Sequence, residues 1–308
     1  MAVKDWPKVA IIVLNWNGWR DTIECLESFQ QLKYPDFQII VVDNGSTDDS
    51  TKQIKAAFPH LTVIETGCNL GYAGGNNVGI RYALEHGAKY ILIVNNDTKL
   101  INPDFVQCLV AIMESDYSLG IIGPTVVTIG GKLQNTILFT PTLVNCLKES
   151  LKRKFRLGPI KNYDTPQLVE AVSGVCWLLR ANMVSEVGLL DEEYFMYAEE
   201  QDFCYRAQKA GWKIMYYPVR SVFHTKEGNK ERMVRQYIYT RRNLVLFLHK
   251  HFGFGQALIL ASFFLASHLL KMIVSRLRAR EKDFYSFALL SRLLSELLVA
   301  LSRRNNHV

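Results

Sequence analysis

The chain has 308 residues, 49% of them hydrophobic and 21% charged, enough for one substantial core plus an appendage and too apolar for a disordered protein. Its net charge of +7 is uneven: from Lys271 onward, Lys271, Arg276, Arg278, Arg280, Lys282, Arg292, Arg303 and Arg304 outnumber Glu281, Asp283 and Glu296, a local +5 that leaves +2 for the rest. A basic tail on a near-neutral body, with no recognition module, makes nucleic acid a poor partner.

The opening MAVKDWPKVAIIVLNWN carries an apolar run too short for a secretory signal and reads as a first core strand, Val9–Leu14. Short apolar runs at Gln38–Val42, Leu61–Ile64 and Tyr90–Val94 alternate with segments of helical composition at Thr22–Leu32, Ser50–Phe58 and Asn76–His86. This alternation predicts a βαβ array with a largely parallel sheet. Further strands are expected at Gly120–Val127, Val169–Ser173, Val175–Arg180 and Lys213–Tyr217. Between them Thr128–Gln167 is irregular, with Gly130, Gly131, Pro141, Pro159 and Pro166. Its basic residues Lys148, Lys152, Arg153, Lys154 and Arg156 suggest an exposed, mobile loop.

After about Arg235 the pattern is helical. Ala257–Leu270 is very apolar, but His268 interrupts it and Lys271 follows, so it falls short of the roughly 18 uninterrupted apolar residues of a membrane span. An interfacial helix, with Phe263, Phe264 and Leu265 at the acyl boundary and arginines at the headgroups, fits better; a helix buried on the catalytic body is the alternative. The six cysteines are scattered without a CxxC pair, which argues against zinc and for reduced thiols in a cytosolic setting.

Four segments end an apolar run in small and polar residues: Ala10–Gly18, Val41–Ser50, Thr66–Gly79 and Ile91–Thr98. A parallel sheet brings such strand ends to one edge, where ligands bind. Taken alone, Asp43 is equally a turn cap or a ligand contact, and Ser46 or Thr47 can cap the next helix. Asn15 suits either a nucleoside contact or a strand-ending turn. The glycines of NLGYAGGNN allow close backbone approach to a ligand, and they lack both the phosphate-loop lysine and the GxGxxG pattern.

In that order, VLNWNG, VVDNGSTDDS, NLGYAGGNN and NND resemble the family 2 glycosyltransferases, in particular their rhamnosyltransferase-like branch. SGVCWLLRANMVSEVGLLDEEYFMYAEEQDFCYRAQKAGWKIMYYPVRSVFH is similar to the same family's acceptor-side motifs. The resemblance implies a GT-A fold: a Rossmann-like, mostly parallel sheet flanked by helices. It marks out a catalytic domain over 1–235, with a donor half to about 128 and an acceptor half from about 168, while the apolar, basic pattern beyond it reads as a helical, membrane-associated extension over 236–308. The implied activity is inverting, metal-dependent transfer of a sugar from a dTDP- or UDP-linked donor, dTDP-rhamnose among them. The acceptor would be a glycan or lipid-linked glycan in cell-surface polysaccharide synthesis, at the cytoplasmic face of the membrane. A non-catalytic nucleotide-sugar-binding protein of the same fold is the alternative.

By the same resemblance, Asn15, Asp43, Gly71, Tyr72, Ala73, Asn76, Asn95 and Asn96 face the donor, with Asp43 accepting from the base imide. Asp97 and His224 would hold Mg²⁺ or Mn²⁺; Asn95 departs from the family's DxD motif, since an amide is a poorer cation ligand. Glu200 is the expected general base and Glu199 the second candidate. Gly174, Trp177 and Asp202 fall on the acceptor side. For Trp177 a core position remains open, and for Asp202 an i,i+4 pair with Arg206. Arg241 and Arg242 are expected at the solvated surface, or assisting a lipid-linked diphosphate.

Overall fold

The computed structural model describes residues 6–151, 164–225, 230–277 and 287–302. They fall into two compact units, one within Met1–Phe139, Leu157–Phe195 and Glu199–Lys226, the other within Thr140–Arg156, Met196–Ala198 and Glu227–Val308. The division lies near residue 227 rather than 236, and the second unit also takes in two short segments from earlier in the chain.

In the first unit the expected alternation is present as β1 (Val9–Asn15), α1 (Trp19–Phe29), β2 (Phe37–Asp43), α2 (Ser50–Ala57), β3 (Thr62–Glu65), α3 (Gly71–Glu85) and β4 (Tyr90–Asn95). Strand β1 pairs in parallel with β2 on one side and β4 on the other, and β2 pairs in parallel with β3. Successive residues of β1 serve two cores: Val9, Ile11 and Val13 pack into one, Ala10 and Ile12 into the other. A strand covered on both faces is therefore apolar throughout instead of alternating.

The chain continues as β5 (Thr98–Leu100), α4 (Phe105–Ser115), β6 (Leu119–Thr128) and β7 (Ile137–Leu138), then, after α5 (Leu143–Leu151) of the second unit, β8 (Gln167–Leu168), β9 (Ala171–Val172), β10 (Cys176–Arg180), α6 (Ala181–Val187), a 3-10 turn (Glu192–Tyr194), α7 (Glu199–Lys209) and β11 (Lys213–His224). The main sheet runs β3-β2-β1-β4-β10-β6-β11-β5, with β8 paired to β11. It is parallel from β3 to β4 and mixed beyond, because β10 runs antiparallel to both β4 and β6. No helical crossover joins β4 to β10 directly, so nothing requires them to be parallel.

Three local expectations need correction. Helix α3 begins at Gly71, so the glycine-rich stretch is helix and not loop. Gly75 and Gly79 face the sheet: a Cβ on Gly79 would lie 2.7 Å from Ile12 and one on Gly75 2.5 Å from Leu14. They serve close helix–sheet packing. The segment Thr128–Gln167 contains β7 and α5, while Lys152, Arg153, Lys154 and Arg156 lie outside the described residues. Finally, β11 does not stop at Tyr217. It passes Pro218 through a register shift between Tyr217 and Arg220, a bulge that accommodates a residue unable to donate, and runs on to His224.

The second unit contains α5, α8 (Lys230–Phe252), α9 (Phe254–Leu277) and α10 (Phe287–Ser302). Gly253, at φ +91°, makes the sharp break between α8 and α9. Ala257, Leu260, Ala261, Phe264, His268 and Met272 form the buried stripe of α9, at the three- and four-residue spacing of one helix face. Leu258, Ile259, Leu269, Leu270 and Ile273 are exposed on it, as are Leu294, Leu298 and Val299 on α10. Phe254–Val274 is long and apolar enough to cross a membrane by length and composition, which corrects the expectation that this stretch falls short. His268 does not break it, because its ring is buried and Nδ1 lies 2.8 Å from the Tyr237 hydroxyl. Arg278, Arg280, Lys282, Arg303 and Arg304 of the basic tail lie outside the described residues.

The six cysteines are free, and burial pushes the thiols of Cys25, Cys146, Cys176 and Cys204 up to about 12, so all four are uncharged at neutral pH.

Candidate active site

The order β3-β2-β1-β4 reverses direction at β1: the chain builds outward to β3, then returns to the far side of β1. Such a reversal opens a crevice at the carboxyl ends of the strands. Asn15 and Asp43 are register partners at those ends, and Asn95 ends β4 beside Leu14.

Asp43 is 2% exposed. Its Oδ2 accepts from Asn15 Nδ2 and from Ser46 Oγ, each at 2.7 Å, and Oδ1 accepts from the Ser46 backbone N–H at 3.0 Å. Three of its roughly four acceptor positions are filled from within the protein, leaving one on Oδ1. Asn15 is buried and points inward: its amide donates to Asp43 and Ser46, and its carbonyl oxygen accepts from the Thr22 hydroxyl at 2.8 Å. Asn15 therefore orients Asp43; the geometry supports neither a nucleoside contact nor a simple turn residue.

Ser46 does not cap a helix. Helix α2 starts at Ser50, whose N–H is taken by Asp48 Oδ1, while the Ser46 hydroxyl also accepts from the Asn17 N–H at 2.9 Å. Asn17, held at φ 50°, reaches back to accept from the Thr47 and Asp48 N–H groups. Asn17, Thr22 and Ser46 thus tie the first two strand-end loops together. Sequence reasoning missed these roles, although the NxNG and DNGS patterns mark both turns.

The network continues to β4. Asn96 Nδ2 donates to Thr22 Oγ1 at 3.0 Å, so Asn96 faces α1. The Asn95 N–H donates to Val175 O at 3.0 Å, which brings the start of β10 to the same edge. Of the expected donor residues on α3, Asn76 is buried and donates to Tyr72 O within the helix, and Ala73 is buried in the core beneath the sheet. Gly71, at φ +74°, opens the helix beside Phe195. Ala73 thus packs in the core and Gly71 shapes the entry to the helix.

Tyr72 joins a different group. Its hydroxyl donates to Gly174 O at 2.6 Å, and the Gly174 N–H donates to Glu200 Oε1 at 3.3 Å. A Cβ at Gly174 would meet the Tyr72 hydroxyl and, at 3.1 Å, the Glu200 side chain, so glycine is required there. Burial first, then the charges of Glu200 and Glu199, push the Tyr72 hydroxyl well above its ordinary range and keep it a donor. Glu199 and Glu200 occupy the first turn of α7, where the helix dipole favours carboxylates. Both are buried.

Two acceptor-side expectations change. Trp177 is fully buried and packs edge-on against Phe203 with centroids 5.8 Å apart, so no sugar can stack on it. Asp202, 1% exposed, accepts from Arg206 Nε at 2.7 Å and from the Tyr194 hydroxyl at 3.2 Å, so its carboxylate braces α7.

Asp97 and His224 are brought together by β5 and β11, in which His224 pairs with Thr98. Asp97 O accepts from both the N–H and the hydroxyl of Thr225. His224 Nε2 lies 3.2 Å from Asp97 Oδ1, and Nδ1 lies 3.0 Å from Gln134 Oε1. Ligands in cis positions of an octahedral shell with metal bonds of about 2.1 Å stand roughly 3 Å apart, so this pair fits two positions of a divalent cation. Among the described residues no third His, Cys, Asp or Glu completes a cluster, which leaves any remaining positions to donor oxygens or water.

In the second unit Arg241 and Arg242 are buried, contrary to the expected solvated surface. The Arg241 guanidinium stacks 3.4 Å from the Tyr237 ring centroid, and Arg242 Nε lies 3.3 Å from Glu296 Oε2.

Residues 10–188 match the sequence profile described as Glycosyl transferase family 2. A Haloferax volcanii protein named low-salt glycan biosynthesis hexosyltransferase Agl10 is 27% identical over 74% of this chain and 71% of its own length. The N-acetylglucosaminyl-diphospho-decaprenol L-rhamnosyltransferase of Mycobacterium tuberculosis is 26% identical over 78% of this chain and 84% of its own. Among solved structures, the mannosyltransferase PcManGT of Pyrobaculum calidifontis, in complex with GDP-Man and Mn²⁺, superimposes with a TM-score of 0.59 at 16% identity. That likeness covers 97% of this chain and 88% of the other and concerns the fold, which is of the GT-A type.

Proposed function

The chain belongs to glycosyl transferase family 2, and from that premise we propose that Glu200 is the general base of a single inverting displacement. The observation that carries this reading is the Gly174–Glu200 contact. It puts a buried carboxylate, at the head of α7, on the Gly174–Val175 segment that is hydrogen-bonded to Asn95 of the strand-end edge. Glu200 takes the proton of the acceptor hydroxyl as that oxygen bonds to the anomeric carbon. The bond from that carbon to the nucleoside diphosphate breaks on the opposite face, and the configuration inverts. Glu199 is the second candidate for the base.

The donor is a dTDP- or UDP-linked sugar, with dTDP-rhamnose included, and the acceptor a glycan or lipid-linked glycan. The names of the two relatives, one hexosyltransferase and one rhamnosyltransferase acting on a diphospho-decaprenol, support that class. Asp43 accepts the base imide through the remaining acceptor position on Oδ1. Asp97 and His224 would hold Mg²⁺ or Mn²⁺, whose charge would stabilise the departing diphosphate. The exposed apolar faces of α9 and α10 support peripheral attachment at the cytoplasmic face of a membrane.

Release of nucleoside diphosphate from a donor panel, with acceptor and Mn²⁺, tests the reading. Glu200→Gln should keep donor affinity and lose roughly 10²–10⁴-fold in kcat. Full transfer rate in that variant would remove Glu200 from the role, and absence of turnover by the unaltered protein with every donor would favour a binding protein of the same fold.

A further inference from the structure

Three of the four residues that precede the base-bearing helix have unusual backbone. Phe195 lies at φ 24°, Tyr197 at φ 72° and Ala198 at φ 73°, all at positive φ, outside the region that side-chain-bearing residues favour. Non-glycine residues in such conformations cost of order 1–3 kcal/mol each and persist only where the surroundings over-determine them. Glycine would relieve this, yet none is present between Phe195 and Glu200.

Two carbonyls of this segment are held by one side-chain amide. Asn243 is buried in α8, and its Nδ2 donates to Met196 O at 2.9 Å and Tyr197 O at 2.6 Å. Its Oδ1 accepts from Arg242 Nη1 at 2.6 Å. A guanidinium can only donate, so this bond settles which end of the Asn243 amide is oxygen and turns both N–H bonds toward the two carbonyls. Arg242 is itself anchored to Glu296 of α10. All these contacts lie within the second unit, which includes Met196–Ala198, and the next residue in the chain is Glu199.

We propose that Asn243 is a positioning residue for the transfer reaction. By clamping Met196 O and Tyr197 O it holds the strained backbone at Tyr197 and Ala198, and through the chain it sets where the first turn of α7 presents Glu199 and Glu200. Glu296 and Arg242 keep the clamp oriented. The inference rests on Glu200 as base, so Glu200→Gln is run in the same assay as its control.

Asn243→Asp is close in shape and replaces both donors with acceptors that face two carbonyls. The expected result is a fall in kcat of tenfold or more, with donor KM, donor binding and melting temperature close to those of the unaltered protein. Adding Ala198→Gly, which adopts φ 73° without strain, should restore part of that kcat. Unchanged kcat in Asn243→Asp overturns the proposal. So does a loss of kcat that accompanies a loss of donor binding or of cooperative melting, or one that Ala198→Gly does not relieve, since each marks a purely structural residue. Full activity in Glu200→Gln would instead overturn the base assignment on which the inference stands.

Discussion

The two units distribute polarity in opposite ways. In the first, apolar strands fill the interior and the polar groups gather at the strand ends, where Asn15, Thr22, Asp43, Ser46 and Asn96 bond to one another. In the second, Arg241, Arg242, Asn243 and His268 are buried while Leu258, Ile259, Leu270 and Ile273 are exposed. The first pattern is that of a water-facing enzyme whose site lies at a sheet edge. The second, with cations satisfied inside and aliphatic side chains outside, is suited to apolar surroundings on one side, because an exposed patch of that kind is unfavourable in water. The first unit thus carries the polar strand-end network, and the second presents the exposed aliphatic faces.

The comparison can be broken most sharply on the outer face of the second unit. Replacing Leu258, Ile259, Leu270 and Ile273 together by serine should shift the protein from vesicles containing anionic lipid to the soluble fraction by a factor of ten or more. Each side chain stands to lose up to about 1.5–3 kcal/mol of apolar burial. Cosedimentation measures this, and unchanged partition would mean the face serves something other than lipid. In the first unit, Gly79→Val should destabilise by about 1–3 kcal/mol, read by chemical denaturation, because the new side chain meets Ile12 under the sheet. A neutral result would show that α3 can lift off the strands. A smaller effect is expected at Asn15→Ala, which removes a donor from Asp43 and leaves the Thr22 hydroxyl without that acceptor. Donor affinity should fall by roughly tenfold, about 1.4 kcal/mol, with little change in kcat once donor is saturating. A fall in kcat alone would place Asn15 in the chemistry instead.

Legibility in the sequence differed between the same regions. The strands of the parallel half were readable to within one or two residues, because burial on both faces leaves runs such as AIIVL and IIVV with few alternatives. The glycine-rich stretch misled: glycine signals a loop in isolation, whereas Gly75 and Gly79 are needed for close approach of α3 to Leu14 and Ile12. Pro218 misled in the other direction, ending a strand on paper that a bulge carries through.

The site divides similarly. The sequence by itself determined the fold class and the sheet edge at which polar residues collect, and it singled out the carboxylates Asp43, Asp97 and Glu200 as candidates, since strand-end motifs are local and their order along the chain is specific. Tertiary structure alone decided which of those polar groups are occupied by each other. It turned Asn15 inward and buried Trp177. It joined Tyr72 to Gly174 across 102 residues of chain. It also put Asn243 on the carbonyls of Met196 and Tyr197, 47 and 46 residues earlier. The reason is physical: a hydrogen bond between distant residues leaves no periodic trace in either segment, and the orientation of a buried amide is set by all of its partners at once.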